Sequence, residues 1–315
     1  MSKIDKIEEL QNIIKQDSTN STARRQLAIL LVDVGFNEEA LQNFLYLLKH
    51  EEDEELYYNL GIVYEKLKNT TKAQESYEKA IKLNPNFDDA IYNLGLVYTQ
   101  IQEYDKSIEC FEKILEPNSD DENTYFNLGL AYFKKNDLIK ALDNFQSAID
   151  INDEDIYAHF YIGNIYKEFG DLASAKTKFE KVIELSPDYS WAYYNLAVIY
   201  NEENNIEKVI RYLQLTIEKN SQDIEAYILL IRAYANIKRY KEAKQIIDLA
   251  LANCEETGDL DYLAGKIYKY SGDIETCSRY FTKALKNRQT LTVPLKFLKW
   301  LNIVNEGYRA LTKRK

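Results

Sequence analysis

Two histidines, three cysteines and scattered acid pairs are the raw material for acid–base, nucleophilic or metal chemistry in this 315-residue chain. General acid–base catalysis needs such a group within reach of a partnered nucleophile. His50 lies in an acidic run, and His159 occupies a position held elsewhere by Tyr57, Tyr125, Tyr193 and Tyr227, so it reads as a packed stand-in for tyrosine. Cys110, Cys254 and Cys277 form no C-x-x-C pair and no ligand spacing with either histidine, which argues against a zinc site and for a reducing compartment. Cys277 reads as an inert packed residue. Acid pairs such as Asp120-Asp121 and Glu255-Glu256 sit where charge is ordinarily solvated. The chain is therefore expected to be no enzyme and to hold no metal or cofactor.

A second set of residues is better suited to recognition. Asn59, Asn93, Asn127 and Asn195 recur at a fixed interval or its multiple, each preceded by an aromatic residue: Tyr58, Tyr92, Phe126 and Tyr194, with Phe160 at the intervening position. A few residues on come Leu96, Leu130 and Asn164. An asparagine amide offers both a donor and an acceptor, so it can bond the N–H and C=O of one peptide unit whatever that unit's side chain. If equivalent helices lie ~10 Å apart and an extended chain advances ~3.3 Å per residue, each asparagine meets every third ligand residue. These twelve residues form a candidate peptide-binding groove. The bland reading is that each amide only bonds its neighbouring helix.

What must position this ladder is a 34-residue period. Tyr64, Tyr98, Tyr132, Tyr166, Tyr200, Tyr234 and Tyr268 are each 34 residues apart. Three residues before them stand Gly61, Gly95, Gly129, Gly163, Ala197, Ile231 and Gly265; nine after stand Ala73, Ser107, Ala141, Ala175, Val209, Ala243 and Cys277. Spacings of three, four and seven within each half mark two amphipathic helices, and Asn136-Asp137, Gly170-Asp171 and Gly272-Asp273 mark the turn between them. Each glycine inside a helix costs ~1 kcal/mol relative to alanine, which close contact with the second helix, through its small residues, would offset. On that basis Gly129→Leu should destabilise by roughly 1–3 kcal/mol. Gly258, left without a role by the pattern, is expected to tolerate leucine far better.

Leu128-Gly129, Tyr132, Ala141, Phe145 and Ala148 together resemble the tetratricopeptide repeat. The resemblance covers seven units over 54–291 (54–87, 88–121, 122–155, 156–189, 190–223, 224–257 and 258–291), after a shortened unit at 21–53 and a lone helix at 4–16. It implies an all-α, right-handed superhelical solenoid of antiparallel hairpins, its first helices lining a concave side that binds a protein partner. Departures concentrate in 190–257, where looser packing is expected. The carboxylate clamp by which some relatives hold acidic chaperone tails is missing, because aromatic residues fill its lysine position.

Charge narrows the partners. The chain is −11 overall, and residues 1–285 carry 32 Lys+Arg against 50 Asp+Glu, a field that repels nucleic acid. Residues 286–315 reverse it, with eight Lys/Arg against Glu306 alone. The segment 292–315 is expected to be a basic amphipathic cap, offering a surface for self-association. No window approaches ~18 consecutive apolar residues, so no membrane span and a cytoplasmic location are expected. The function read here is an interaction scaffold that binds an extended segment of a partner; the alternative is an assembly subunit that associates through its ends without a groove ligand.

Overall fold

A computed structural model describes residues 2–115 and 121–292. The expected cap at 292–315 lies outside the described residues except for Thr292. Seventeen α-helices and one 3₁₀ turn, and no strand, occur among the described residues. After α1 (Lys3–Gln16) come α2 (Ser21–Asp33) and α3 (Asn37–Leu47), then α4 (Glu54–Lys66), α5 (Thr70–Leu83), α6 (Asp88–Gln100), α7 (Tyr104–Leu115), α8 (Glu122–Lys134) and α9 (Leu138–Ile151). The order continues through α10 (Ile156–Glu168), α11 (Leu172–Leu185), α12 (Ser190–Glu202), α13 (Ile206–Lys219), α14 (Ile224–Asn236), α15 (Tyr240–Asn253), α16 (Gly258–Tyr270) and α17 (Ile274–Lys286). The chain divides into two compact units, Met1–Ala158 and His159–Lys315.

Every hairpin from 54 onward turns on one left-handed residue, again 34 apart: Lys68, Gln102, Asn136, Gly170, Asn204, Lys238 and Gly272. This conformation lets the residue after it donate its N–H to the carbonyl of the repeated tyrosine five positions back. Asn69 N reaches Tyr64 O at 2.8 Å, Asp137 N reaches Tyr132 O at 2.9 Å, and Asp273 N reaches Tyr268 O at 3.0 Å. The same residues then cap the next helix. The side chains of Asn69, Asp137, Asp171, Asn205 and Asp273 each accept from the backbone three residues on. Lysine and glutamine take up the strained φ at Lys68, Gln102 and Lys238, where each also donates its own N–H to a carbonyl three residues back.

Within each hairpin the glycine faces a ring, not the small residues expected to oppose it. A Cβ on Gly61 would lie 2.3 Å from Tyr77 Cε1, on Gly95 2.8 Å from Phe111, on Gly129 2.9 Å from Phe145, on Gly163 2.9 Å from Phe179 and on Gly265 2.5 Å from Phe281. All five rings are fully buried. In the 190–257 stretch Ile231 and Ile247 replace the glycine and the ring, and both are completely buried within one continuous apolar cluster. Burial gives no sign of the looser packing expected there.

Successive hairpins are tied by polar bonds on top of this core. Tyr98 Oη donates to Glu78 at 2.9 Å and Tyr132 Oη to Glu112 at 2.5 Å, each linking a first helix to the second helix before it. At the far end the chain folds back over the start of α16: Thr290 Oγ accepts from Gly258 N at 2.7 Å, and Asn287 Nδ2 donates to Asp261 Oδ2 at 2.9 Å. Gly258 consequently has a role that the repeat pattern hides. A Cβ there would sit 2.5 Å from the carbonyl oxygen of Asn287, so the expectation that it tolerates leucine is overturned. Asp261 is wholly buried, its Oδ1 meets no donor among the described residues, and burial pushes its carboxyl above the ordinary range.

Two outcomes follow. Gly61→Ala should lower the urea midpoint more than Gly129→Ala, because an overpacking cost of about 1–3 kcal/mol exceeds the ~1 kcal/mol of helix propensity gained, and Tyr77 leaves less room than Phe145. Equal midpoints would remove the ring contact as the cause. Asp261, with a raised native pKa, disfavours the folded state once ionised, so its penalty is absent below the unfolded carboxyl value near ~4 and grows as pH rises through the native value. Asp261→Asn should therefore gain stability over the natural chain as pH rises through that window; a difference that is flat with pH would contradict the buried carboxylate.

Candidate functional site

In the first unit the ladder residues lie on α4, α6 and α8, each in the middle of a first helix and half-buried. Their aromatic members are anchored on the ring that fills the glycine. Tyr58 packs on Tyr77 with centroids 6.0 Å apart, Tyr92 on Phe111 at 5.6 Å and Phe126 on Phe145 at 5.4 Å. Leu96 and Leu130 sit half-buried beside them. The core contact thus fixes where the ladder's side chains emerge.

The asparagines are not independent of the tyrosines. Asn127 donates one amide hydrogen to Tyr92 Oη at 2.8 Å and the other to the carbonyl of Asn123, one turn back, at 2.8 Å. Asn93 donates to Tyr58 Oη at 3.4 Å, and Asn59, which has no tyrosine at the equivalent place before it, donates to Glu55 O at 2.7 Å. The linked pairs are 35 residues apart, one repeat plus one. Burial, reinforced by Asp89 beside Tyr58 and Asp121 beside Tyr92, raises both phenols' pKa, so both hydroxyls keep their protons at neutral pH. A shallow depression lined by Asp88, Asp89, Tyr92, Ile114, Asp121, Asn123 and Thr124 opens next to the second pair.

The second unit uses the same positions differently. Phe160 packs on Phe179 at 5.8 Å and on Tyr189 at 5.3 Å, and Tyr194 packs edge-on against Trp191 at 5.9 Å. Asn164 donates to Phe160 O at 3.0 Å. Asn195 is only 5% exposed; its amide donates to Trp191 O at 2.9 Å, and its carbonyl accepts from Lys167 Nζ at 2.6 Å. Buried and bonded at both its amide and its carbonyl, Asn195 is turned into the protein, which corrects its place in the ladder. Phenylalanine at 160 has no hydroxyl to take an asparagine's proton, and Lys167 takes up the amide from the other side. Burial lowers the pKa of the Lys167 ammonium.

The pairing of Asn93 and Asn127 with tyrosine hydroxyls was not read from the sequence, although a Tyr-Asn dipeptide recurring one period apart signals a 35-residue offset. Lys167 carried no signal, since it stands outside the repeated positions. The catalytic candidates are brought to no common site. His159 is 5% exposed and Cys277 is 2% exposed. The Cys110 thiol is pushed up to about 11 by burial, which suppresses the thiolate a nucleophile requires. Among the described residues no group of three or more His, Cys, Asp or Glu side chains is placed to hold a metal ion, and no helix is long and apolar enough to cross a membrane.

Comparison with known proteins agrees with this geometry. Sequence models of the tetratricopeptide repeat match residues 54–87, 88–154, 166–227 and 262–290. No curated protein matches the chain. Among solved structures, a fragment of MamA from Desulfovibrio magneticus RS-1 is 29% identical with a TM-score of 0.52, covering 54% of this chain and 97% of that one. YrrB, described as a repeat protein of this kind with an unusual peptide-binding site, is 27% identical with a TM-score of 0.51, covering 58% of this chain and 95% of that one. The C-terminal part of a repeat protein from Cytophaga hutchinsonii shares the fold, with a TM-score of 0.61 at 15% identity over 71% of this chain and 93% of its own.

The different duties of the two asparagines are measurable. Asn195→Ala should destabilise by about 1–3 kcal/mol, because it strips a half-buried ammonium of its main partner, whereas Asn59→Ala should cost under about 1 kcal/mol. Urea unfolding of both variants decides it, and an Asn195→Ala protein as stable as the natural chain would return that residue to the ladder.

Proposed function

The chain belongs to the tetratricopeptide repeat family, whose stacked hairpins are protein-interaction scaffolds, and we propose that its first unit binds an extended segment of a partner protein across α4, α6 and α8. The observation that carries this reading is the row of half-buried polar and aromatic side chains, Tyr58, Asn59, Tyr92, Asn93, Phe126 and Asn127, held in register by the ring contacts beneath them. The Oδ1 atoms of Asn59, Asn93 and Asn127 have no donor among the described residues. Such acceptors are satisfied in the free protein by water and are available to a ligand. Leu96 and Leu130 supply apolar surface beside them. The peptide-binding site ascribed to YrrB, a protein of the same repeat, supports the assignment. The groove reading rests on the first unit alone, since Asn195 of the second is withdrawn; Phe160, Asn164 and Tyr194 remain candidates for a contact of their own.

The chemistry needs no cofactor: recognition by main-chain hydrogen bonds and partial burial of apolar side chains is binding, not catalysis. The test uses a peptide selected from a random dodecapeptide library displayed on phage against the full chain. Calorimetry should show that Asn93→Ala with Asn127→Ala weakens binding by about 0.5–1.5 kcal/mol for each net hydrogen bond lost. Glu109→Ala, on the exposed face of α7, should leave affinity unchanged. Unchanged binding by the double variant together with loss in the α7 variant would move the site off the first helices.

A further inference from the structure

In a carboxamide–hydroxyl pair the direction of the hydrogen bond decides what is left over for a ligand. Tyr92 Oη accepts from Asn127 Nδ2, so the phenol's own hydrogen is uncommitted. Both amide hydrogens of Asn127 are used within the protein, so only its Oδ1 faces outward as a polar group with capacity to spare. The Tyr58–Asn93 pair repeats the amide-to-hydroxyl bond one period earlier, at 3.4 Å. The Tyr92–Asn127 pair therefore offers one donor, from the tyrosine, and one acceptor, from the asparagine, and the same two groups stand at Tyr58 and Asn93. This departs from the expectation that a single asparagine bonds both groups of a peptide unit.

The separation of the pairs then selects a backbone conformation. The pairs bridge α4 to α6 and α6 to α8; α6 and α8 touch, and packed helix axes are ~8–10 Å apart. A β-strand presents equivalent groups on one side every two residues, ~6.7 Å, which misses this spacing, and every four residues overshoots it. A polyproline II segment has three residues per turn and a rise of ~3.1 Å, so equivalent carbonyls and N–H groups recur every ~9 Å with no internal hydrogen bonds to compete. Carboxylates stand beside the second pair, Asp88, Asp89 and Asp121 lining one depression with Tyr92, and favour a ligand with basic side chains.

Resting on the groove reading, we propose that the Tyr58–Asn93 and Tyr92–Asn127 pairs grip the main chain of a basic polyproline II segment of a partner, tyrosine donating to its carbonyls and asparagine accepting its N–H groups three residues apart. Proline is then tolerated between the contacted positions and excluded from them, because proline has no N–H to give.

The test is a set of double-mutant cycles on the phage-selected dodecapeptide, using the full chain. The peptide is N-methylated at each position in turn to remove one N–H, and separately substituted with single backbone esters, which also weaken the preceding carbonyl. N-methylation should weaken binding about two- to tenfold at two positions three apart and little elsewhere. Asn127→Ala should abolish the effect at one of those positions, and Tyr92→Phe, which keeps the ring on Phe111, should abolish the carbonyl effect while leaving the N-methyl effect intact. Full sensitivity in Tyr92→Phe, or Asn127→Ala coupled to both changes, overturns the donor assignment, and sensitivity at every second position overturns the polyproline II geometry. Leu96→Arg and Leu130→Arg, checked for folding by circular dichroism, separate the levels: if either folded variant blocks the peptide, the groove stands whatever the cycles give. If the peptide ignores both, the groove reading falls and this inference with it.

Discussion

The contact between a helix glycine and the ring sixteen residues later is the constraint on which the hairpins depend. At Gly61, Gly95, Gly129, Gly163 and Gly265 a single added carbon would enter a fully buried aromatic ring. The missing Cβ lets the first helix approach until its backbone lies on that ring, and dense packing transmits the placement to neighbouring side chains. Tyr58, Tyr92 and Phe126 rest on the same rings. The proposed recognition face is therefore built directly on the core, and its geometry is no more adjustable than the core's. Where isoleucines replace glycine and ring, at Ile231 and Ile247, the pair is bulkier and divided differently between the helices, and both remain buried.

The turn supplies the second constraint, and it explains why the period never slips from 54 onward. One left-handed residue and one bond to the tyrosine carbonyl, joined at five of the seven turns by a side-chain cap, satisfy orphan groups at both helix ends within a three-residue link. An insertion would break two hydrogen bonds and shift the ring off its glycine. The repeated tyrosine thus acts through its backbone as much as its side chain. Its ring adds a further layer, with lysine ammonium groups lying over it, as Lys140 does over Tyr132 at 4.9 Å and Lys208 over Tyr200 at 4.3 Å.

Against this regular frame the two units spend equivalent positions on different ends. In the first, asparagine joins the hydroxyl of the preceding repeat and keeps an acceptor outward. In the second, the preceding ring is Phe160, the hydroxyl is gone, and Asn195 turns its carbonyl to Lys167. A single oxygen atom on the preceding ring accompanies the change from the surface proposed to read a main chain to a residue that bonds a half-buried cation. Buried and half-buried polar groups must find partners, and which partner is nearest settles what remains for a ligand.

By itself the sequence determined the period, the two amphipathic helices of each unit, the turn between them and the family, because these follow from local spacing that any copy of the chain must satisfy. It also placed Tyr58, Tyr92, Phe126 and the asparagines on one helical face, since residues at the same repeat position share that face. Tertiary structure alone decided what stands opposite each of them. That glycine meets a ring and not an alanine, that Gly258 is closed off by the Asn287 carbonyl, and that Asn127 gives a hydrogen to Tyr92 depend on residues sixteen to thirty-five positions away. Hydrogen-bond direction is the least legible property of all: a carboxamide is donor and acceptor alike in a sequence, and only the nearest neighbour in space commits it to one.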